Sequence, residues 1–288
     1  MRGERPLRRA ARRGLALLWG AGGGAGLFLL LCAAGVVDPA ALSPAGPPAG
    51  APQAVFARED PAPFRAAVLS PEALDRAAQA ARGRDGVMVT MKGPDGALAW
   101  VSDLPLAIDC GASFAQPARN EALRAMNATE GLYTVARISC LRDSALALAR
   151  PSMALERISG APWRDEAGAA WLDPTDQGVQ TYCIGLCREL ADLGFDEILL
   201  TDCRFPAGPG TEDLAFSGDR EAALETFCRR LQRALADTPV RLSVEGTALT
   251  ADSGQTEALL ASFPGRVWAG AEDRDALAAF APAVIPAG

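Results

Sequence analysis

The hydrophobic pattern of this chain divides it into an apolar N-terminal run, a spacer and a long α/β region. Residues 14–37 are uncharged and mostly apolar, and six arginines precede them. About 20 helical residues cross a bilayer core of about 30 Å, so this run is long enough to span a membrane. The arginines predict that residues 1–13 stay in the cytoplasm while the rest is exported. A cleaved signal peptide is the alternative, although its apolar core is usually shorter.

Residues 38–63 are rich in Ala and Pro, a composition typical of an extended spacer. From residue 64 to 288, short apolar runs alternate with amphipathic stretches, and this repetition predicts one α/β domain with a parallel sheet, either a barrel or a doubly wound sheet. Strands are predicted at 87–91, 133–140, 197–201, 240–245, 266–269 and 283–285, and helices at 70–82, 120–130, 177–193, 219–236, 255–263 and 273–280.

Charge is distributed unevenly along the chain. The formal net charge is -7. Six arginines against Glu4 give residues 1–13 a charge of +5, so the remainder carries -7 - 5 = -12. An acidic body repels phosphate backbones, which argues against nucleic acid as a partner. No Gly-x-Gly-x-x-Gly motif follows a predicted strand and no Gly-Lys-Ser/Thr loop is present, so nucleotide-binding versions of the fold are disfavoured.

The chain contains no histidine. This excludes Ser-His-Asp and Cys-His catalytic arrangements, and it removes the commonest metal ligand. Any proton chemistry therefore falls to Asp, Glu, Tyr, Cys or the single lysine, Lys92. We expect neither a metal nor an organic cofactor.

Reactive side chains of parallel α/β folds lie just past the carboxyl ends of strands. Two carboxylates there, Asp202 and Glu245, are the minimum equipment for glycoside hydrolysis, which needs an acid and a nucleophile or base about 5–10 Å apart. Carboxylates at strand ends also cap helices and pair with arginines, so spacing alone leaves both roles open. The other polar residues that follow predicted strands are Lys92, Asp109 (after LPLAI, taken as a strand), Arg142, Asp143 and Arg204.

Two tryptophans, Trp163 and Trp171, flank an acidic loop. They could stack on sugar rings over a site, or they could pack beneath the loop.

Six cysteines follow the predicted export point, an even number that suits an oxidising compartment. Fifteen pairings are possible, and the sequence does not choose among them. Cys183 and Cys187 lie one turn apart on a half-buried helix, so they are as well explained by apolar packing as by a bridge. The six are Cys110, Cys140, Cys183, Cys187, Cys203 and Cys228.

From about Gly86 onward the chain resembles a glycoside hydrolase-like family catalogued as domain of unknown function 4015, for which a (β/α)8 barrel is expected. The resemblance rests on three ordered blocks. They are GVMVTMKGPDGALAW, YTVARISCLRDSALALARP and GAPWRDEAGAAWLDPTDQGVQTYCIGLCRELADLGFDEILLTDCRFP. It implies a TIM-barrel-like domain over residues 64–288, complete or short of a strand, because the region before Val87 offers little for the first one.

The chain departs from the family pattern at two positions. Members usually carry Asp where this chain has Thr90 and Thr201, and Asp202 comes one residue late. Because side chains alternate along a strand, that shift points Asp202 to the opposite face unless the strand end twists or bulges. Six residues do match the family and would suit a groove for a sugar or another polar polymer: Lys92, Arg137, Asp143, Trp163, Trp171 and Arg204.

With the predicted anchor at residues 14–37, the resemblance implies a membrane-anchored glycoside hydrolase-like protein acting on a polysaccharide or cell-wall glycan. Asp202 would be the nucleophile or base and Glu245 the acid, while Arg137 and Lys92 would orient the substrate. Three alternatives stay open. The first is a surface glycan-binding protein that has lost the catalytic acids at Thr90 and Thr201. The others are a structural envelope protein and, more remotely, a redox role for the cysteines.

Overall fold

The computed structural model describes residues 64–113, 116–247 and 249–286. The predicted cytoplasmic tail, membrane span and spacer, residues 1–63, lie outside the described residues. Across the described ranges, no helix has the length and apolar character needed to cross a bilayer.

Seven strands form one sheet in which every neighbouring pair is parallel and the spatial order equals the chain order. All carboxyl ends therefore meet at one edge. An unbroken sequential order is typical of a barrel, whereas a doubly wound sheet reverses direction at a switch point. The strands are β1 (Ala66–Leu69), β2 (Gly86–Lys92), β3 (Thr134–Ser139), β4 (Glu197–Thr201), β5 (Arg241–Gly246), β6 (Val267–Ala269) and β7 (Ala283–Val284).

Helices fill the connections between strands. Several of these helices have an N-cap residue whose side chain accepts a hydrogen bond from the backbone N–H three residues later. Asp176 caps α5 in this way and Asp219 caps α6. The helices are α1 (Ala77–Ala80), α2 (Pro105–Asp109), α3 (Ala118–Asn127), α4 (Ser144–Ala149), α5 (Gln177–Asp192), α6 (Arg220–Leu235) and α7 (Glu257–Ala261). Short 3-10 turns span Leu74–Arg76, Pro151–Met153, Thr211–Asp213, Ala251–Ser253 and Ala278–Phe280.

The sheet is curled. Phe64, just before β1, packs edge-on against Trp268 of β6 with ring centroids 5.8 Å apart. The Arg266 guanidinium also lies 4.1 Å from the centroid of the Phe64 ring. Four strands separate β1 from β6 in the sheet, so these contacts form only if the sheet curves back on itself. The inner face carries a small apolar cluster, separate from the main core under the helices: Phe64, Ala66, Met88, Val135, Leu199, Trp268 and Ala283.

The amino-terminal end of this interior is closed by a buried polar hub centred on Glu197. Its carboxylate accepts hydrogen bonds from Tyr133 Oη at 2.8 Å, Ser243 Oγ at 2.6 Å and Trp268 Nε1 at 2.8 Å, and it pairs with Arg266. Burial, together with the Glu197 charge, raises the pKa of Tyr133 to about 12, so the phenol stays protonated and donates. This hub lies at the opposite end from the strand carboxyl ends and is structural.

We expect Glu197→Gln to lower the free energy of unfolding by about 3 kcal/mol, because the partly buried Arg266, whose side chain is 17% exposed, loses its fully buried counter-charge. Urea unfolding measures this. The exposed carboxylate variant Glu225→Gln is the control and should shift stability by no more than about 0.5 kcal/mol. A Glu197→Gln variant as stable as the control would contradict the structural role of the hub.

The strands and long helices predicted from the pattern are confirmed, with four corrections. LPLAI is not a strand but part of α2, since Pro105 occupies a helix start, and Asp109 pairs with Arg150 at 3.0 Å rather than ending a strand. Strand β1 was not predicted. The helix predicted at 70–82 is only a 3-10 turn followed by α1, and the helix predicted at 273–280 is only a final 3-10 turn.

Candidate active site

The inner face becomes polar towards the strand carboxyl ends. Side chains alternate along a strand, so residues two places beyond the inner cluster also point inward. Arg137 stands two residues after Val135, and Glu245 is paired in register with Trp268. Thr90 stands two residues after Met88 and is exposed, while Arg137 and Glu245 are half-buried. This end of the inner face, the candidate cleft, is therefore lined by groups that can hydrogen-bond.

Asp202 reaches this cleft through a turn in its own backbone. Its φ is 53°, in the left-handed region that non-glycine residues rarely adopt. Its Oδ2 accepts a hydrogen bond from Ser139 Oγ at 2.7 Å, and its backbone N–H donates to Glu245 Oε2 at 3.2 Å. The bend at the strand end thus brings Asp202 beside Glu245 despite the one-residue shift. Such a conformation costs on the order of 1–3 kcal/mol and is concentrated at functional sites.

The separation of the two carboxylates follows from this contact. An Asp carboxyl oxygen lies no more than about 5 Å from its own backbone nitrogen by covalent geometry. The Asp202 and Glu245 oxygens are therefore within about 8 Å of each other, which does not exceed the upper limit of about 10 Å for a glycosidase carboxylate pair.

The surroundings of Glu245 favour the protonated form of its carboxyl group. Burial raises the pKa of its carboxyl, and the nearby Asp202 charge adds to this. The hydrogen bond from the Asp202 backbone and the charges of Arg137 and Arg204 act in the opposite direction, but the net pKa shift is upward. Glu245 thus holds its proton to a higher pH than an ordinary Glu.

The raised pKa of Glu245 should make the free energy of unfolding depend on pH. Between the ordinary Glu value and the raised value, the native state binds more protons than the unfolded state, so the free energy of unfolding falls as pH rises through that window. We expect Glu245→Gln to have a higher urea midpoint than the wild type at pH 8, with the difference vanishing below about pH 4. A variant less stable than the wild type at pH 8 would contradict this.

Two of the predicted substrate-binding residues contact each other instead of the cleft. Lys92 and Asp143 have fully buried side chains, with 3.0 Å between Lys92 Nζ and Asp143 Oδ2. Lys92 Nζ also donates to the Ser139 carbonyl at 2.6 Å, and Asp143 Oδ1 caps α4 by accepting from the Leu146 N–H at 2.9 Å. Because the Ser139 hydroxyl holds Asp202, the buried pair supports the site from behind.

The two tryptophans pack inside the protein. Trp163 is 1% exposed and donates through Nε1 to the Gly210 carbonyl at 2.8 Å. Trp171 is 3% exposed and donates to Asp165 Oδ2 at 3.0 Å. The structure therefore matches the packing alternative. The Arg204 guanidinium lies over the Trp171 ring, 5.2 Å from its centroid, so the ring covers one face of the guanidinium.

The two cleft arginines differ in their partners. Arg204 donates from Nη1 to the Phe205 carbonyl at 3.1 Å, while its buried Nε has no hydrogen-bond acceptor. Among the described residues, the Arg137 guanidinium forms no hydrogen bond or ion pair, although its charge acts on Glu245. Both guanidinium groups therefore keep donors for a bound molecule. Within the described ranges, no group of three or more Cys, Asp or Glu side chains is arranged to hold a metal ion.

Two residues of the site were not predicted from the sequence. Ser139 lies four residues after Val135 on the inner face of β3, so strict alternation could have identified it. Gln255 is buried and joins the strand ends, since its Nε2 donates to the Glu245 carbonyl at 2.8 Å and to the Cys203 carbonyl at 3.1 Å. No sequence pattern marks Gln255, because its partners are backbone atoms distant along the chain.

The curled parallel sheet, sequentially ordered and alternating with helices, is TIM-barrel-like, with seven strands and no closing eighth strand among the described residues. The family model described as "Putative glycosyl hydrolase domain", domain of unknown function 4015, matches residues 72–259. The match spans more than half of the chain, and the chain belongs to this family, as its motifs predicted.

Similarity to one solved structure supports the fold, and two further structures are more distantly similar. A hypothetical protein from Ruminiclostridium thermocellum ATCC 27405 is 23% identical with a TM-score of 0.54, over 62% of this chain and 96% of that one. A Flavobacterium johnsoniae chitobiase is 15% identical with a TM-score of 0.47, over 72% of this chain and 33% of that one. The glycoside hydrolase domain of PelA from Pseudomonas aeruginosa is 15% identical with a TM-score of 0.45, over 72% and 67%. The comparison with curated proteins gives no match.

Proposed function

We propose that this protein hydrolyses glycosidic bonds of a polysaccharide with Asp202 and Glu245 as its carboxylate pair. The observation that carries the proposal is the left-handed turn at Asp202, which brings that residue to Glu245 at the carboxyl edge of the sheet. Strained non-glycine backbone at this edge of a barrel is typical of a catalytic position.

In the proposed reaction, protonated Glu245 donates its proton to the leaving glycosidic oxygen. Its raised pKa keeps the proton available. Asp202 either attacks the anomeric carbon or removes a proton from the attacking water, and the separation of up to about 8 Å is compatible with both routes. Arg137 and Arg204 would orient the sugar through their unpaired N–H groups. The Lys92–Asp143 pair would hold Ser139, and through it Asp202, in position.

A glycan-binding protein without hydrolysis is the second candidate, and the two threonines favour it. Thr90 and Thr201 occupy the positions where family members usually place Asp. The Thr201 hydroxyl donates to the Ile138 carbonyl at 3.2 Å, so it is engaged by the backbone. Exposed Thr90 at the cleft could contact a sugar but could not supply acid chemistry.

We also propose that residues 14–37 anchor the protein in the membrane with its barrel outside the cytoplasm, where a cell-wall glycan would be the substrate. The arginine cluster before an apolar run supports this orientation. Membrane fractions washed with alkaline carbonate should retain the full chain. Release into the soluble fraction, with a mature N-terminus after residue 37, would favour the cleaved signal peptide.

The proposed hydrolysis is tested with the full chain in mild detergent against a panel of cell-wall and extracellular polysaccharides. Binding is measured by affinity electrophoresis and cleavage by the release of reducing ends. We expect at least one polymer to be bound and cut. Binding of a polymer with no release of reducing ends would support the glycan-binding alternative and contradict the hydrolase proposal.

A further inference from the structure

Five buried thiols gather behind the site, between the sheet and helices α5 and α6. Cys203, the residue after Asp202, is 1% exposed, and Cys228 in the middle of α6 is fully buried. Their sulfur atoms are 3.6 Å apart, in contact. The other three are Cys140, Cys183 and Cys187.

The Cys140 thiol interacts with the thiols of both Cys183 and Cys203. The Cys183 Sγ is directed at the Cys140 carbonyl at 3.8 Å, and Cys110 donates to the Ala107 carbonyl of its own helix at 3.6 Å. A Cys203–Cys228 bond occurs in three of the fifteen complete pairings of six cysteines, and the direct contact of these two sulfurs at 3.6 Å favours it. A disulfide requires the two sulfurs to approach from contact to about 2.05 Å, which is a movement of less than about 1 Å for each.

We propose that Cys203 and Cys228 are the site of a disulfide bond that forms when the protein folds in an oxidising compartment. The two thiols lose two protons and two electrons to a disulfide oxidant, such as oxidised glutathione or an oxidoreductase disulfide, which is reduced to two thiols. An S–S bond replaces the two S–H bonds, and no other group is consumed. The reaction is independent of the hydrolase proposal.

The timing of this bond follows from burial. A hydrogen bond with Cys140 lowers the pKa of the Cys203 thiol, but the hydrogen bond with Cys228 and burial together raise it well above the usual value. The thiolate is the species that attacks a disulfide, so the buried pair exchanges slowly once the protein has folded. The bond therefore forms during folding, before the pair is buried.

The bond would tie the strand end that carries Asp202 to the middle of α6. It closes a loop between two positions separated by 25 residues, and that loop includes the 3-10 turn Thr211–Asp213. Constraining a loop of this length in the unfolded chain stabilises the native state. We expect the oxidised protein to have a Tm about 5–10 °C above that of the reduced protein.

The test refolds the full chain in detergent with a mixture of oxidised and reduced glutathione. Free thiols are then alkylated under denaturing conditions, and the protein is digested without reduction. Peptide mass spectrometry should find Cys203 linked to Cys228. Cys187→Ala, a matched buried control, should retain that link and its Tm gain. Cys228→Ala should lose both and leave Cys203 alkylated.

Two results would overturn the proposal. One is recovery of Cys203 and Cys228 as alkylated thiols from wild-type protein refolded under these conditions. The other is a link from either residue to a different cysteine. Because the readout is a covalent bond and a Tm, it does not depend on whether any polysaccharide is cut.

Discussion

Glu245→Gln is expected to lower kcat for polysaccharide hydrolysis at least about 100-fold with little change in KM, because general acid catalysis contributes about 10²–10⁴-fold and Gln keeps the shape of the side chain. The loss should be much smaller for an aryl glycoside of the same sugar, since a good leaving group needs little protonation. Steady-state kinetics on both substrates measures the two effects.

Asp202→Asn separates the two carboxylate roles. As nucleophile or base, Asp202 is needed whatever the leaving group, so we expect this variant to lose activity on the polymer and on the aryl glycoside alike. Glu225→Gln on the outer face of α6 is the matched control and should keep wild-type rates. Equal losses on both substrates for Glu245→Gln would contradict its assignment as the acid.

Lys92→Met is expected to lower the free energy of unfolding by about 3–5 kcal/mol, because it leaves the Asp143 charge buried without a partner. The side chains of both residues are fully buried. Denaturant unfolding measures the change. Lys92→Met combined with Asp143→Asn should recover part of the loss, since no uncompensated charge remains and Asn can still cap α4.

The same variant also tests the role that the family resemblance implies for Lys92. A residue that orients substrate from the cleft would raise KM when replaced, with little effect on stability. If the free energy of unfolding of Lys92→Met is within about 1 kcal/mol of the wild-type value and its KM is raised, the structural role proposed for the buried pair is wrong.

Much of the fold could be predicted because its determinants are local. The apolar runs of β2, β3, β4 and β5 and the capped amphipathic helices α5 and α6 are visible as patterns within a few residues. Strand β1 was missed because it has only four residues, one of them exposed. LPLAI was assigned to the wrong element because a five-residue apolar run does not distinguish strand from helix, and Pro105 was the decisive signal.

The site was less predictable because it depends on contacts between distant segments. Strict alternation predicts that Asp202 faces away from Glu245, and only the backbone turn at φ 53° reverses this. Lys92 and Asp143 match family motifs, but a motif does not reveal that two side chains bury each other. Trp163 likewise donates its N–H to Gly210, 47 residues further along the chain, in a segment that the sequence alone does not bring near.

The most direct test of the central claim is a crystal structure of Glu245→Gln bound to an oligosaccharide from the polymer that the wild-type protein cleaves. We predict that the scissile glycosidic oxygen lies within hydrogen-bonding distance of the residue at position 245. The adjacent anomeric carbon should face the Asp202 carboxylate, directly or across one water. A sugar bound away from these two residues would contradict the proposal that they form the catalytic pair.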